Sequence, residues 1–225
     1  MDQGGSIVTL RPFETAGQRD SFVTQVGLDA LVEEVLFVSS DIDDITSFFS
    51  AAATITGYAT KGIFLSDAAA TDDVLMGANS TRFGRVRATR PAPLDKDTDI
   101  VYATFLASYQ TEYGQDAAGQ VFTAHSYDAA WLLTYGATWA LFQEDAITGR
   151  NIARGLRRLS SGSVLNVGPT SWVTIQQQFT AGNSINVRGA SGPLDYDPVS
   201  EETTADIEIW TINGTSIQPE YTWPP

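Results

Sequence analysis

The chain has 225 residues, of which 43% are hydrophobic and 18% charged, a composition typical of a globular protein. It has no cysteine and one histidine, His125, which excludes disulfides, cysteine nucleophiles and metal sites built from several such ligands. Thirteen basic and 27 acidic residues give a net charge of −14, so no nucleic-acid partner is expected, because such a surface repels phosphate. No apolar run reaches the roughly 18 residues of a membrane span.

The first part of the chain alternates between β-type runs and helical patterns. Strands are predicted at residues 7–10, 35–38, 62–65 and 84–88. The runs at 35–38 and 62–65 are unbroken and apolar, as in strands that are buried on both faces. Between them, apolar residues from Ile45 to Ala52 fall on one helical face. A strand-to-strand spacing of about 30 residues is typical of a βαβ unit, so we expect a parallel sheet.

Prolines 91 and 93 end this first part, and a helical part follows. Helices are predicted at residues 101–113 and 122–142, and Thr148 is predicted to cap a third. The chain then returns to β character at residues 184–187 and in the alternating isoleucines from position 207. We therefore predict a second segment of helices followed by strands.

Polar side chains follow two of the predicted strands. Ser39, Ser40 and Asp41 come after the strand at 35–38, and Ser66 and Asp67 come after the strand at 62–65. If the two strands are neighbours, these groups converge at one sheet edge, where open parallel sheets bind ligands. Hydroxyls and helix N-terminal amides would then hold a carboxylate, and Asp67 an ammonium. The alternative is that these residues only cap helices.

An aromatic stripe recurs every four residues along the longest predicted helix. It consists of Tyr127, Trp131, Tyr135 and Trp139. We interpret the stripe as packing, except Tyr127, which lies near the start of the helix where a pocket can open.

The three residue types of a hydrolytic triad occur close together at His125, Ser126 and Asp128. Neighbours one or two apart on a helix do not face one another, and the chain has no Gly-x-Ser-x-Gly elbow. No catalytic residue, metal site or cofactor is therefore predicted.

Five segments together resemble successive blocks of the type I periplasmic solute-binding proteins, the branched-chain amino-acid receptors of ABC transporters. They are VLFVSSDIDDITSFFSAA, KGIFLSDAAATDDVL, FTAHSYDAAWLL, TGRNIARGLRRLSSG and GASGPLDYDPVSEETTADIEIW. The resemblance implies an α/β fold, a three-layer doubly wound parallel sheet in each of two lobes that close on a small polar solute. It also implies that Asp67 holds the amino group, that Ser39, Ser40 and Asp41 lie on the neighbouring loop, and that Tyr127 supplies an aromatic wall.

Relative to that family, the chain is expected to begin inside the second lobe, with most of the first lobe missing. Residues 1–94 would be a second-lobe α/β unit, 95–190 a segment that completes the first lobe, and 191–225 a return strand and tail. Helices that lack their usual sheet would pack on the existing unit or on a second copy, so a homodimer is a possible state.

The predicted function is a non-enzymatic solute-binding protein that acts outside the cytoplasm, in the periplasm or extracellularly. Its partners would be an amino-acid-like ligand and the membrane permease of an ABC transporter. Two alternatives stay open, a ligand-sensing receptor domain and a remnant that has lost its ligand.

Overall fold

A computed structural model describes residues 5–118, 120–197, 199, 203 and 205–223. Within them the helices are α1 Ala16–Leu28, α2 Ile42–Thr54, α3 Asp72–Gly77, α4 Ile100–Tyr113, α5 Thr123–Glu144, α6 Gly149–Leu156 and α7 Trp172–Thr180. The strands are β1 Glu34–Phe37, β2 Gly62–Leu65, β3 Val86–Pro91, β4 Ser163–Asn166, β5 Ile185–Arg188, β6 Ile207–Asn213 and β7 Ser216–Trp223. The chain divides into unit 1, Met1–Pro91 with Ile207–Trp223, and unit 2, whose main segment is Ala92–Asp206.

Unit 1 is built on a five-stranded sheet with the strand order β1-β2-β3-β6-β7. The first three strands are parallel, which confirms the expectation from their spacing. Strand β6 pairs antiparallel with β3, and β7 pairs antiparallel with β6. Both strands come from a distant part of the sequence. Strand β6 was predicted from its alternating isoleucines, whereas β7 was not predicted.

Helix α2 carries the apolar face that the sequence predicted, and that face covers the sheet. Phe48 and Phe49 are fully buried, and the ring of Phe48 stacks on Phe37 of β1 with centroids 4.5 Å apart. The helix ends at Thr54, where the guanidinium of Arg82 donates to the carbonyl oxygens of Ala52 and of the two nearby residues 53 and 55. These contacts satisfy carbonyl groups that have no partner within the helix.

The opposite face of the unit 1 sheet is largely exposed. Pairing across the sheet places Leu36, Phe64 and Arg87 side by side on this face. Leu36 is 65% exposed, and Trp223 at the far end of the same face is 64% exposed. The prediction that residues 35–38 are buried on both faces is therefore wrong. Strand β1 lies at the sheet edge, and α2 covers only the face that carries Phe37.

Residues 7–10 do not form the predicted strand. Ile7 and Leu10 are 87% and 83% exposed, and the segment joins no sheet. A run of β-branched and apolar residues becomes a strand only where a neighbouring strand offers hydrogen bonds and a surface to pack on.

The described residues of unit 2 form the helices α4 to α7 and a separate two-stranded parallel sheet of β4 and β5. Ile175 and Phe179 of α7 are fully buried, as are Ile185 and Val187 of β5. Helices α4, α5 and α6 confirm the three predicted helices, and Thr148 caps α6 as expected. Neither β4 nor α7 was predicted.

Helices α5 and α6 cross at a pair of glycines. A β-carbon added to Gly155 would lie 2.4 Å from the carbonyl oxygen of Gly136, a distance at which atoms overlap. The two backbones approach so closely because neither residue has a side chain at the crossing.

Gly155→Val should destabilise unit 2 by about 1–3 kcal/mol, because the helices must separate to admit the side chain. Gly149→Val is the matched control, since a β-carbon at Gly149 in the same helix meets nothing within 4 Å. Urea denaturation followed by circular dichroism measures both. Equal stability of the two variants would show that the close crossing contributes nothing.

A buried carboxylate joins α4 to β5 in unit 2. Asp99 caps α4 by accepting from the amides of Val101 and Tyr102 at 2.9 and 3.0 Å, and it accepts from Arg188 Nη2 at 2.5 Å. Burial by itself would raise the pKa of Asp99, but these amide bonds and the guanidinium outweigh it and lower the pKa. The charged form is therefore the one that stabilises the fold.

Asp99→Asn should lower the free energy of unfolding at pH 7 by about 1.5–3 kcal/mol, because a charged hydrogen-bond acceptor is lost. Because the pKa is lower when folded, this stabilisation is present above the unfolded pKa and is lost as the pH falls through the folded pKa. The gap between parent and variant should shrink in urea melts from pH 7 towards pH 2. A gap that does not change with pH would contradict this assignment.

Candidate functional site

The loops after β1 and β2 meet at the carboxyl-terminal edge of the parallel strands. Strands β1 and β2 are direct neighbours, with Phe37 opposite Leu65, which confirms the condition set by the sequence. The Ser66 hydroxyl donates to the Ser39 carbonyl oxygen at 3.1 Å. The predicted serines of the two loops are therefore in contact.

Ser39 and Asp41 both hold their own loop together. The Ser39 hydroxyl donates to Asp44 Oδ2 and accepts from the Asp41 amide, each at 3.1 Å. Asp41 is the N-cap of α2, and its Oδ1 accepts from the amides of Asp43 and Asp44 at 2.8 and 3.3 Å. In this structure the Asp41 side chain therefore caps a helix, which was the alternative to ligand binding in the sequence analysis.

An arginine from α1 completes this network, and the sequence analysis missed it. Arg19 is 6% exposed, and its guanidinium pairs with Asp20 at 2.8 Å and with Asp44. Burial alone would lower the pKa of Arg19, but the two carboxylates outweigh burial and raise it. A permanent positive charge thus lies behind the loop that follows β1.

Asp67 and Ser40 are the predicted groups that stay available at this edge. Asp67 is half-buried at the start of a short 3₁₀ turn, and its Oδ1 accepts from the Ala68 amide at 2.8 Å. Within the described residues its second oxygen has no hydrogen bond or ion pair. Ser40 is exposed. A half-buried carboxylate oxygen without a partner is suited to accept from an ammonium group.

Tyr127 lies in unit 2, not in unit 1 with the other predicted site residues. It is half-buried on α5, where its ring packs on Phe105 and Trp131 with centroids 5.0 and 6.3 Å away. Burial is the main cause that raises the pKa of Tyr127. The rest of the aromatic stripe packs as predicted, with Tyr135 and Trp139 buried in the core of this unit.

Asp128, which the sequence analysis set aside, is a buried acid that holds a turn. It is 2% exposed, and its Oδ1 accepts from the Ala190 amide at 2.8 Å. Its Oδ2 accepts from the amide and the hydroxyl of Ser191 at 2.7 and 2.6 Å. Burial is the largest cause that raises the pKa of Asp128. Both carboxylate oxygens are occupied by the turn.

No protein-family model and no curated protein matches the sequence. Solved structures do match, with low sequence identity. Helices alternate with parallel strands, which places the chain in the α/β class with a mainly parallel sheet. The matched structures share the type I periplasmic binding fold.

Three of these structures are amino-acid or periplasmic binding proteins. The leucine-binding protein LivK of Thermotoga maritima matches with a TM-score of 0.60 and 15% identity over 91% of this chain and 48% of its own. LivJ of Streptococcus pneumoniae, a branched-chain amino-acid transporter substrate-binding protein in complex with isoleucine, matches with a TM-score of 0.57 and 13% identity. The match covers 94% of this chain and 50% of LivJ. A type 1 periplasmic binding protein of Bordetella pertussis matches with a TM-score of 0.56 and 14% identity, over 87% of this chain and 47% of its own.

These likenesses confirm the predicted α/β fold class. The chain spans about half the length of the structures it matches. At this level of identity the likeness shows the fold alone. Among the helices of the described residues, none is long and apolar enough to cross a bilayer.

Asp41→Ala should lower the free energy of unfolding by about 1 kcal/mol, because α2 loses its N-cap, whereas Asp41→Asn should change it by only a few tenths. Asparagine keeps the acceptor oxygen for the Asp43 amide. Urea denaturation of the two variants checks the assignment. If the alanine variant is as stable as the parent, the cap is not what Asp41 contributes.

Proposed function

We propose that this chain is the amino-acid-binding part of an extracytoplasmic solute-binding protein, with the loops after β1 and β2 forming part of the ligand site. The observation that carries the proposal is the half-buried Asp67 carboxylate, which lies beside a loop joined to it through the Ser66–Ser39 hydrogen bond. In this proposal Asp67 accepts from the ligand's ammonium group, and Ser40 hydrogen-bonds with its polar atoms.

The fold supports a binding role over a catalytic one. Two of the matched structures are named for leucine or branched-chain amino acids, and one of them holds isoleucine. The acid that the resemblance assigned to the amino group, Asp67, has one carboxylate oxygen that no described residue engages. Ser39 and Asp41 are engaged within their own loop, so we assign them to the support of the site. Tyr127 stays a prediction that rests on the resemblance.

The transport context is the second part of the proposal. The matched LivJ is named as a component of a branched-chain amino-acid transporter. By analogy we propose that the whole protein works in the periplasm or outside the cell and delivers its ligand to the permease of an ABC transporter. This part rests on fold-level analogy and is tested by co-purification with a permease.

Asp67→Asn should weaken isoleucine binding by about 2–5 kcal/mol, as expected when one partner of a buried charge pair is removed. Asparagine keeps an acceptor for the Ala68 amide, so the turn should remain folded. Isothermal titration of the purified chain with L-isoleucine and L-leucine measures the effect.

Asp72→Asn is the matched control for this measurement. Asp72 is an exposed acid in the first turn of α3, so the substitution removes the same charge five residues away. Its affinity should equal that of the parent. If Asp67→Asn binds isoleucine as well as the parent does, the ammonium role of Asp67 is wrong.

A further inference from the structure

The candidate site depends on a chain of side chains that starts on α1. Arg19 is buried, and it pairs with Asp44 in the first turn of α2 through one carboxylate oxygen of that acid. The other oxygen of Asp44 accepts from the Ser39 hydroxyl. Each oxygen of Asp44 thus has its own partner, one behind the loop and one within it.

Ser39 passes this restraint on to the neighbouring loop. Its hydroxyl is fixed by Asp44 and by the Asp41 amide, and its carbonyl oxygen accepts from the Ser66 hydroxyl at 3.1 Å. Ser66 directly precedes Asp67 in the chain. The orientation of the loop that carries Asp67 is therefore tied to Ser39.

We infer that Arg19 and Asp44 are positioning residues of the proposed amino-acid site, acting through Ser39 and Ser66 on Asp67. This inference rests on the proposed function. We call Arg19, Asp44, Ser39 and Ser66 the relay. The relay sets the position of the Asp67 carboxylate. In this inference Arg19, Asp44 and Ser39 do not contact the ligand. Two hydroxyls that the sequence assigned to ligand contact are in this view parts of the relay.

The geometry separates this role from ordinary helix stabilisation. Asp43 and Asp44 both lie in the first turn of α2, where an acid interacts favourably with the helix dipole. Asp43 is exposed, whereas the Asp44 carboxylate bonds Ser39 and Arg19. Alanine at either position removes the same charge from the same turn, but only Asp44→Ala breaks the relay.

The first measurement is isoleucine affinity by isothermal titration. Asp44→Ala should weaken binding roughly tenfold, Ser66→Ala by a similar factor, and the double variant no more than either alone, because residues of one hydrogen-bond network are coupled. Asp43→Ala should bind like the parent. Additive losses in the double variant, or equal losses at positions 43 and 44, would overturn the inference.

The second measurement does not need a ligand. The amides of Ala69 and Ala70 donate to the carbonyl oxygens of Ser66 and Asp67 in the turn after β2. Their hydrogen exchange, followed by NMR and normalised to core amides of β2, should accelerate several-fold in Asp44→Ala and not in Asp43→Ala. Unchanged exchange in Asp44→Ala would contradict the relay, since the restraint would not reach this turn.

A milder pair of variants covers the case in which Asp44→Ala does not fold. Ser39→Thr keeps the hydroxyl and should retain the affinity and exchange of the parent, whereas Ser39→Ala should reproduce the losses. If neither leucine nor isoleucine binds the parent, the proposed function fails. The exchange measurement, made on Asp44→Ala and on Arg19→Ala, then decides by itself whether each of these residues positions this turn.

Discussion

The parallel pairing of β1 with β2 is the constraint on which the candidate site depends. Parallel neighbours end at the same sheet edge, so the residues that follow each strand are brought together wherever they lie in the sequence. The pairing places Ser39 against Ser66 and leaves Asp67 beside them. An antiparallel pairing would have sent the two loops to opposite edges, and the same residues would have been unrelated caps.

Much of the fold was predictable because its signals are local. The spacing of apolar residues in α2 and the cap at Thr148 each act within one or two helical turns. The two wrong strand predictions concern the elements that would pack against each segment. The run at 35–38 indicates a strand but not whether helices cover it on both faces, and the run at 7–10 has β-type composition without a neighbouring strand.

The candidate site likewise contains residues that local sequence patterns indicate and residues that only the packing of distant elements brings together. The strand ends identified Ser40 and Asp67, since a strand followed by polar residues is visible in the sequence. The support of the site was invisible, because Arg19 meets Asp44 from 25 positions away. In unit 2, outside the candidate site, Asp128 likewise bonds Ser191 from 63 positions away. No periodic pattern marks such pairs, because they arise only when separate elements pack.

The position of β6 between β3 and β7 in the unit 1 sheet bears on how the chain folds during its synthesis. The neighbour of β3, strand β6, is synthesised only after Ala92–Asp206, the main segment of unit 2. That main segment is therefore complete before β6 emerges from the ribosome. Pairings between distant segments form slowly, because the intervening chain must first be closed into a loop. Until then β3 has a free hydrogen-bonding edge, and the nascent chain is most vulnerable to non-native strand pairing during that interval.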